Sequence, residues 1–459
     1  MTSYFTPESF WEERQQQDAA RSAESRSLYD KDRSRIIHSP SFRRLQAKTQ
    51  VLDITEGEYH RTRLTHSMEV SQIARGLVQQ LLQDFKGRGE CDILPPIELI
   101  ETVAFAHDIG HPPFGHNGEV ALNYKMHDAA TVDNGATVDN GGAVLGGFEG
   151  NGQSLRILTK LERRPSGPGL NLTRRTLLGI LKYPCPFSQT QRREVPRQRT
   201  TGIVRQEDWK PPKCYLDTEQ GVVDWLLEPL TTGDREKFVV FAAPPTATKH
   251  GKTAHKSLDC SLLDLADDIA YATHDLEDGV ALGLVHREQW AGVWEQTDAD
   301  WRREHFPPHM IDLLFGEGWE RREAVSKMIH AFIISVRLQR LHTFESPLLD
   351  CRVRVEAAPR AALNLVKELT YERIIRSPSV QTLEYRGRNM IMKIYDALIG
   401  EPESLLTGPD RKLFLENAGD VVKQHRIICD FVAGMTDPYA TRFYERLYVP
   451  RTGSSFDRL

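Results

Sequence analysis

The residues of this chain that could do chemistry are histidines and aspartates at three widely separated places. His66 and His107 each continue an apolar stripe, and Asp108 follows His107 directly. A third segment, SLLDLADDIAYATHDLEDGVALGL, places acidic side chains three and four residues apart among apolar ones. Burying ionised carboxylates without a partner is costly, so such groups are normally paired with cations or a metal. One shared divalent ion would account for all of them, and ligands of this kind suit manganese or magnesium, with iron and nickel as alternatives.

A short loop after the second helix supplies two further histidines. The string HDIGHPPFGHNGE carries His111 and His116 among glycines and prolines, which break a helix and shape a rigid turn. A single buried histidine is more often a satisfied core residue than a ligand. Packing alone does not require so many in one short stretch, so the cluster indicates a functional site.

Both of the first two histidines lie in predicted helices. Apolar residues recur at intervals of three and four after His66, as on one buried helix face: Val70, Ile73, Ala74, Leu77, Val78 and Leu81. A second helix is expected to begin near Pro95 and Pro96, because proline is tolerated in a first helical turn. His107 continues the apolar stripe of that helix. The pattern therefore predicts that both imidazoles point inward.

The acidic segment predicts a third, buried helix. Its polar positions step by three and four: Asp264, Asp267, Tyr271, His274 or Asp275, and Asp278. A helix that is apolar except for one acidic stripe usually lies inside a protein and directs that stripe at a cavity. Asp267, Tyr271 and Asp275 are four residues apart and share one face, which favours Asp267 over Asp268 as a member of the site.

The remaining patterns predict a mostly α fold in three parts. These are an N-terminal helical layer over residues 1–50, a metal-dependent core over 51–285 and a C-terminal helical region over 286–459. MIHAFIISVRLQRL and ALNLVKELTYERII predict helices in the last part. Strand-type alternation is scarce, and FVVFAA at 238–243 is the main candidate.

Two segments of the core are predicted to be loops. Residues 131–141 contain a near-duplicated TVDNG unit and form a glycine-rich surface loop, to which we assign no chemistry. Residues at about 184–213 combine prolines with lysines and arginines and predict a mobile basic insertion. A solvated loop is the favoured interpretation of the insertion, and binding of nucleic acid or polyphosphate is the alternative.

Composition limits the class of protein. The 459 residues carry a net charge of −5, with 39% hydrophobic and 27% charged residues, as in an ordinary globular protein. This charge gives no global case for a nucleic-acid or membrane partner. The six cysteines never form a CxxC pair, and no segment approaches the roughly 20 apolar residues of a membrane-spanning helix. We therefore expect a soluble cytoplasmic protein.

The order of these motifs resembles a known family. His66, then His107 and Asp108, then Asp267 resembles the H…HD…D signature of the HD-domain phosphohydrolases. The bare signature is weak evidence, but HDIGHPPFGHNGE together with ADDIAY is highly specific. Longer strings resemble one branch, the dGTP triphosphohydrolase-like proteins, over most of residues 30–395: YHRTRLTHSMEV, FAHDIGHPPFGHNGE, GGFEGNGQSLRILT, GLNLTRRTLLGILKYP and LADDIAYATHDLED.

This resemblance implies an HD-domain helical core and a reaction. The reaction is metal-dependent cleavage of a deoxynucleoside triphosphate, dGTP or a broader set, to the deoxynucleoside and intact tripolyphosphate. Motif by motif, the resemblance assigns the metal to His66, His107, Asp108 and Asp267.

The resemblance also assigns substrate contacts. Tyr271 would pack where a 2′-hydroxyl would lie, and Asp275 would bind the 3′-hydroxyl of the deoxyribose. Gln50 matches a position beside the sugar and base. Arg63 matches a phosphate contact, for which a guanidinium is well suited.

Scission also requires a proton for the departing 5′-oxygen. His116 can supply it, because an unperturbed imidazole titrates near neutrality, and Glu119, three residues on, can orient it. His111 is expected to be a second group that faces the phosphates.

Two other functions are left open by the sequence. One is a different HD-type nucleotide phosphodiesterase or phosphatase, and the other is a non-catalytic regulator that binds nucleotide or single-stranded nucleic acid. The family resemblance further suggests a homo-oligomer, often a hexamer, and single-stranded DNA as an effector.

Overall fold

The computed structural model describes residues 4–18, 24–50, 61–132, 146–165, 167–196 and 204–450. Helices make up most of this part, so the predicted mostly α fold is confirmed. The helices as far as the acidic segment are α1 (Leu28–Ile37), α2 (Pro40–Arg44), α3 (Arg63–Asp84), α4 (Ile97–Ala106), α5 (Gly115–Val132), α6 (Gly150–Arg156), α7 (Arg174–Ile180), α8 (Phe187–Thr190), α9 (Gln206–Trp209), α10 (Gln220–Leu227), α11 (Thr232–Phe238) and α12 (Leu258–Ala281).

The helices continue to the C-terminal end of the described chain. They are α13 (Arg287–Gln296), α14 (Ala299–His305), α15 (His309–Leu314), α16 (Gly318–Ile334), α17 (Pro347–Asp350), α18 (Ala357–Thr370), α19 (Pro378–Gly400), α20 (Pro402–Leu405), α21 (Gly408–Glu416), α22 (Val421–Ala433) and α23 (Asp437–Tyr448). A π-helical turn, Tyr371–Ile375, follows α18.

The described strands are short and form antiparallel pairs. They are β1 (Arg163–Arg164) with β2 (Gly167–Pro168), β3 (Phe241–Ala243) with β4 (Lys252–Thr253), and β5 (Val336–Arg340) with β6 (Cys351–Val355). The strand predicted at 238–243 is found for its second half, and Phe238 ends α11. The prediction that MIHAFIISVRLQRL is helical throughout is wrong, because α16 ends at Ile334. Arginines alternate with apolar residues in β6, whose exposed and buried positions alternate likewise.

Side-chain caps fix the beginnings of α3 and α12, which carry the predicted metal ligands His66 and Asp267. The Thr62 hydroxyl accepts a hydrogen bond from the Thr65 backbone N–H, and the Thr65 hydroxyl accepts one from the Thr62 backbone N–H, a reciprocal capping box at the start of α3. The Ser257 hydroxyl caps α12 by accepting from the Cys260 N–H at 3.2 Å. His66 and Asp267 thereby have fixed places on their helices.

Helix α3 packs against both α4 and α12 around one apolar interior. This main core extends from Trp11 to Ile374, so helices α13 to α18 share it with the earlier ones. A second core joins α5 to α19, α22 and α23 through residues such as Met126, Ile394 and Ile428. The division of the chain at residues 50 and 285 stays a prediction.

The two segments predicted as loops have different outcomes. Most of the TVDNG repeat lies outside the described residues. The described parts of the basic segment are packed, since Phe187 is 0% and Trp209 is 6% exposed. The Arg193 and Glu194 N–H groups donate to the carbonyls of residues 246 and 247. Only residues 197–203 of this segment lie outside the described chain.

Two limits on the class of protein can be stated for the described residues. No helix there is long and apolar enough to cross a lipid bilayer. All six cysteines are described, and each is a free thiol.

A buried ion pair between α7 and α12 yields a prediction about stability. Arg175 donates to both oxygens of Asp259 at 2.8 and 3.1 Å, and both side chains are almost fully buried. Replacing Asp259 with alanine strands the guanidinium in the core, so we expect Asp259→Ala to lose about 3–5 kcal/mol of unfolding free energy. Urea denaturation followed by circular dichroism measures this. Asp300→Ala, which removes the exposed pair with Arg303, should leave the curve unchanged.

Candidate metal centre and acid–base pair

Three of the predicted metal ligands meet where α3, α4 and α12 come together. One ligand atom each from His66, His107 and Asp267 lies within 4.8 Å of the others. The Nε2 atom of His66 is 3.2 Å from Oδ1 of Asp267, and Nε2 of His107 is 3.9 Å from the same oxygen. Both histidines are buried, while the Asp267 side chain is 29% exposed. The cluster is therefore reachable from one side.

The orientation of His107 fits a metal ligand. Its Nδ1 lies 2.6 Å from the Ala104 carbonyl, to which a ring N–H donates, so Nε2 carries a lone pair. This Nε2 is buried and accepts no hydrogen bond from any described residue. A backbone carbonyl that fixes the tautomer in this way is a regular companion of metal-bound histidine. A bound cation would give this inward-facing lone pair the partner that it lacks among the described residues.

Asp108 adjoins the cluster through a different set of contacts. Its Oδ1 lies 3.4 Å from Nε2 of His107 and 3.1 Å from Nδ1 of His111, while its Oδ2 accepts from Arg63 Nη1 at 2.6 Å. Burial acts to raise the pKa of Asp108, but the neighbouring imidazoles and Arg63 hold it well below its usual range. Arg63, predicted as a phosphate contact, is thus placed beside the metal cluster and paired with an aspartate.

The structure separates Asp267 from its neighbour Asp268. Asp268 leaves the site, and its carboxylate pairs with Arg360 at 3.2 Å and with Lys367. Asp267 faces the imidazoles, as expected from the shared face of α12. Burial alone would raise the pKa of Asp267, but the hydrogen bond with His66 and the charge of Lys182 lower it.

Lys182 is a residue that sequence reasoning missed. Its ammonium lies 2.8 Å from Oδ1 of Asp264 and 3.7 Å from Oδ2 of Asp267. Burial acts to lower its pKa, yet these two carboxylates raise it well above the ordinary value. The only signal was its place in the family-like string GLNLTRRTLLGILKYP. Lys182 brings a fixed positive charge to the edge of the metal cluster.

The beginning of α5, directly after the histidine-rich loop, brings His116 and Glu119 together. Nδ1 of His116 lies 2.9 Å from Oε2 of Glu119, and the His116 side chain is 63% exposed while Glu119 is buried. The other oxygen, Oε1, accepts from the Gly150 N–H at 2.7 Å. An exposed imidazole held by a buried carboxylate is a suitable arrangement for transferring a proton.

Glu119 also has a basic neighbour from the segment predicted as a basic loop. Lys213 lies 3.7 Å from Oε1 of Glu119 and 2.8 Å from Oε1 of Glu149. Burial acts to raise the pKa of Glu119, but Lys213 and the contact with His116 hold it well below its usual range. Lys213 therefore adjoins the pair of His116 and Glu119 and is itself paired with two carboxylates.

His111, predicted to face the phosphates, is buried behind this pair. Its ring centroid is 5.5 Å from that of His116, and burial lowers its pKa to about 3. The ring is neutral at ordinary pH and can act toward substrate as a hydrogen-bonding group.

The predicted sugar contacts lie on the same face of α12 and at the end of the N-terminal layer. Asp275 is 2% exposed, and its Oδ2 finds no donor among the described side chains and backbone. Burial raises its pKa to about 7. Tyr271 is half-buried one turn closer to Asp267. Oε1 of Gln50 is also buried without a donor in the described part of the chain.

Two family models match the chain. The HD domain matches residues 63–138, which include His66, the His107 and Asp108 pair and the histidine-rich loop. The phosphohydrolase-associated domain matches residues 353–446, from β6 to α23.

Relatives align over almost the whole chain. A deoxyguanosinetriphosphate triphosphohydrolase-like protein of Shewanella sediminis is 41% identical over 459 residues, which cover 98% of this chain and 98% of the relative. Proteins with the same description from Shewanella halifaxensis and Shewanella loihica are 39% and 40% identical, over 98% and 97% of this chain and 98% of each relative.

The geometry of the cluster predicts which aspartate binds metal. We expect Asp267→Asn and His107→Ala to weaken binding of Mn²⁺ by more than about 100-fold, because each removes a direct ligand rather than an outer partner. Asp268→Asn is the matched control and should bind as the unaltered protein does. Metal content after dialysis against Mn²⁺ and the rise in Tm on adding Mn²⁺ measure the effect. Equal loss in Asp267→Asn and Asp268→Asn would contradict the assignment.

Proposed function

This chain belongs to the family of deoxyguanosinetriphosphate triphosphohydrolase-like proteins, and on that basis we propose that it hydrolyses deoxynucleoside triphosphates to the deoxynucleoside and tripolyphosphate. The family makes it a phosphohydrolase of the HD-domain class, a class that binds divalent metal ions. The identity of the nucleotide is the part we propose.

We assign the metal to His66, His107, Asp108 and Asp267. The support is the convergence of three of these side chains and the inward lone pair of His107. A divalent ion bound there supplies Lewis-acid polarisation of a phosphate oxygen and acidifies a bound water. Manganese or magnesium suits this mixture of imidazole and carboxylate best.

Basic side chains next to the cluster would bind the triphosphate. Arg63 and Lys182 each neutralise one carboxylate of the cluster, Asp108 and Asp267 respectively. Phosphate oxygens that enter the site compete for the same guanidinium and ammonium groups, which can then offset the charge that builds up on the phosphoryl oxygens. His111 adds a neutral hydrogen-bonding ring beside them.

His116 would deliver the proton to the departing 5′-oxygen. Its exposed ring is oriented by Glu119, whose pKa Lys213 and the contact with His116 hold well below its usual range. The backbone N–H of Gly150 holds the other oxygen of Glu119, which keeps the carboxylate in place.

The observation that carries the substrate assignment is the Oδ2 atom of Asp275, a buried carboxylate oxygen that receives no hydrogen bond from the described part of the chain. A buried acceptor without a donor is costly, and a hydroxyl on a ligand would satisfy it. Asp275 lies two helical turns from Asp267 on one face of α12, with Tyr271 between them. A nucleotide whose α-phosphate lies at the metal could place its sugar along this face, with the 3′-hydroxyl at Asp275 and Tyr271 against C2′.

The activity itself is the first test. With Mn²⁺, we expect at least one deoxynucleoside triphosphate to give tripolyphosphate, and His107→Ala and Asp267→Ala to abolish the reaction. Ion chromatography distinguishes the inorganic products. Pyrophosphate or orthophosphate as the sole product would indicate a different nucleotide hydrolase. No turnover with any substrate would leave a non-catalytic binding protein.

The role of Asp275 can be tested with a substrate that lacks the 3′-hydroxyl. A site built to bind a hydroxyl leaves its own polar group unpaired with the dideoxy analogue, so kcat/KM should fall at least about 10-fold. In Asp275→Ala we expect the ratio of deoxy to dideoxy turnover to approach one. Asp278→Asn, one turn further along α12, is the matched control and should keep the original ratio. An unchanged ratio in Asp275→Ala would remove the sugar assignment.

A further inference from the structure

We propose that Lys48 and Asp437 are positioning residues that fasten the His111–His116 loop to the C-terminal helices and to the segment carrying Gln50. This inference rests on the proposed function for its catalytic consequence, and on geometry alone for the attachment itself. Four hydrogen bonds define this attachment, which we call the loop clamp. The Lys48 side chain makes two of them to backbone carbonyls, and the Asp437 carboxylate makes two to backbone N–H groups.

The Lys48 side chain ties two backbone carbonyls together. Its ammonium donates to the His111 carbonyl at 2.6 Å and to the Ala433 carbonyl at 2.9 Å, and Lys48 is only 2% exposed. Ala433 is the last residue of α22. Burial lowers the pKa of Lys48 to about 7, and a buried amine needs hydrogen-bond acceptors in either protonation state. The first residue of the loop and the end of α22 are therefore held at a fixed separation.

The Asp437 carboxylate makes the matching connection from the other side. Oδ1 accepts from the Phe114 N–H at 3.0 Å, and Oδ2 accepts from the Thr49 N–H at 2.9 Å. Asp437 is the first residue of α23 and is buried. One carboxylate therefore holds both the loop and the residue directly before Gln50. Charged acceptors of backbone N–H groups make comparatively strong hydrogen bonds.

The clamp acts at the strained point of the loop. Phe114 has φ of 61° and Gly115 has φ of 56°, a left-handed conformation that is unfavourable for phenylalanine. The Phe114 ring lies so close to Gly387 of α19 that a Cβ there would be 2.6 Å from the ring. His116 follows this turn directly. The hydrogen bond to Asp437 stabilises the left-handed backbone conformation of Phe114. Without this bond we expect the turn to relax and His116 to leave its position beside Glu119.

The clamp makes the C-terminal helices part of the catalytic arrangement. The assigned metal ligands lie on α3, on α12 and directly after α4, whereas α22 and α23 belong to the second hydrophobic core. Lys48 also joins the metal side, because its carbonyl accepts from the Arg63 N–H at 3.0 Å, at the first residue of α3. Lys48 is thereby attached both to α3, which carries the metal ligand His66, and to the loop that precedes the proton donor His116.

Turnover of paired variants tests the catalytic role of the clamp. Asp437→Asn keeps the shape but can accept only one of the two N–H groups well, so we expect kcat to fall about 10- to 100-fold with little change in KM and in Mn²⁺ content. Lys48→Met is the second variant and should act likewise. In a His116→Ala background, Asp437→Asn should cause no more than about a twofold further loss, because the residue acts through His116. An undiminished loss in that background would overturn the proposal.

Amide hydrogen exchange tests the attachment without any substrate. We expect exchange in peptides covering residues 111–116 to accelerate at least about 10-fold in Asp437→Asn and Lys48→Met, with α3 and α12 unchanged. Asp420→Asn, which changes the exposed N-cap residue of α22, and Lys412→Met on α21 are the matched controls and should behave as the unaltered protein. Unchanged exchange in both clamp variants would refute the clamp. If no deoxynucleoside triphosphate is hydrolysed, the proposed function fails, while the exchange result still decides the attachment.

Discussion

Closely spaced carboxylates and imidazoles at a largely buried place are the constraint on which the site depends. Asp108 and Asp267 lie within 4 Å of His107 at the meeting point of three helices, where an isolated negative charge would be unstable. Each acid is matched by a base from another part of the chain: Asp108 by Arg63 and Asp267 by Lys182. The same arrangement recurs at Glu119 with Lys213. The pairs keep the acids ionised, the state in which a carboxylate binds a cation or orients a histidine.

This balance explains why so many segments must converge. A base close in sequence to an acid could reach it within one helix. Lys182 follows α7 and Lys213 precedes α10, so both lysines are distant in sequence from the acids they neutralise. The helices therefore have to be fixed relative to one another before the charges balance. The buried pair of Arg175 and Asp259 between α7 and α12 helps to fix the region from which Lys182 extends.

The C-terminal helices contribute to the same region through hydrogen bonds to the histidine-rich loop. The histidine-rich loop is a short turn with a left-handed phenylalanine, and such a turn keeps its shape only when its surroundings determine it. Gly387 of α19 makes room for the Phe114 ring, and Asp437 accepts its N–H. This accounts in physical terms for a phosphohydrolase-associated domain that lies far along the chain from the HD domain and yet adjoins its histidine-rich loop.

The sequence by itself determined the helices and the faces that carry His66, His107, Asp267 and Asp275, because helical periodicity and capping are local properties. It also indicated the family through strings that are contiguous in the chain. It did not reveal β5. The residues of this strand continue the apolar helical pattern of α16 in the sequence, and they form a strand because they pair with β6. Only the tertiary structure decided that Lys182, Lys213, Lys48 and Asp437 reach the site. A lone lysine or aspartate has the same local signature on a solvated surface as beside a buried charge, and the difference lies in partners that are distant in sequence.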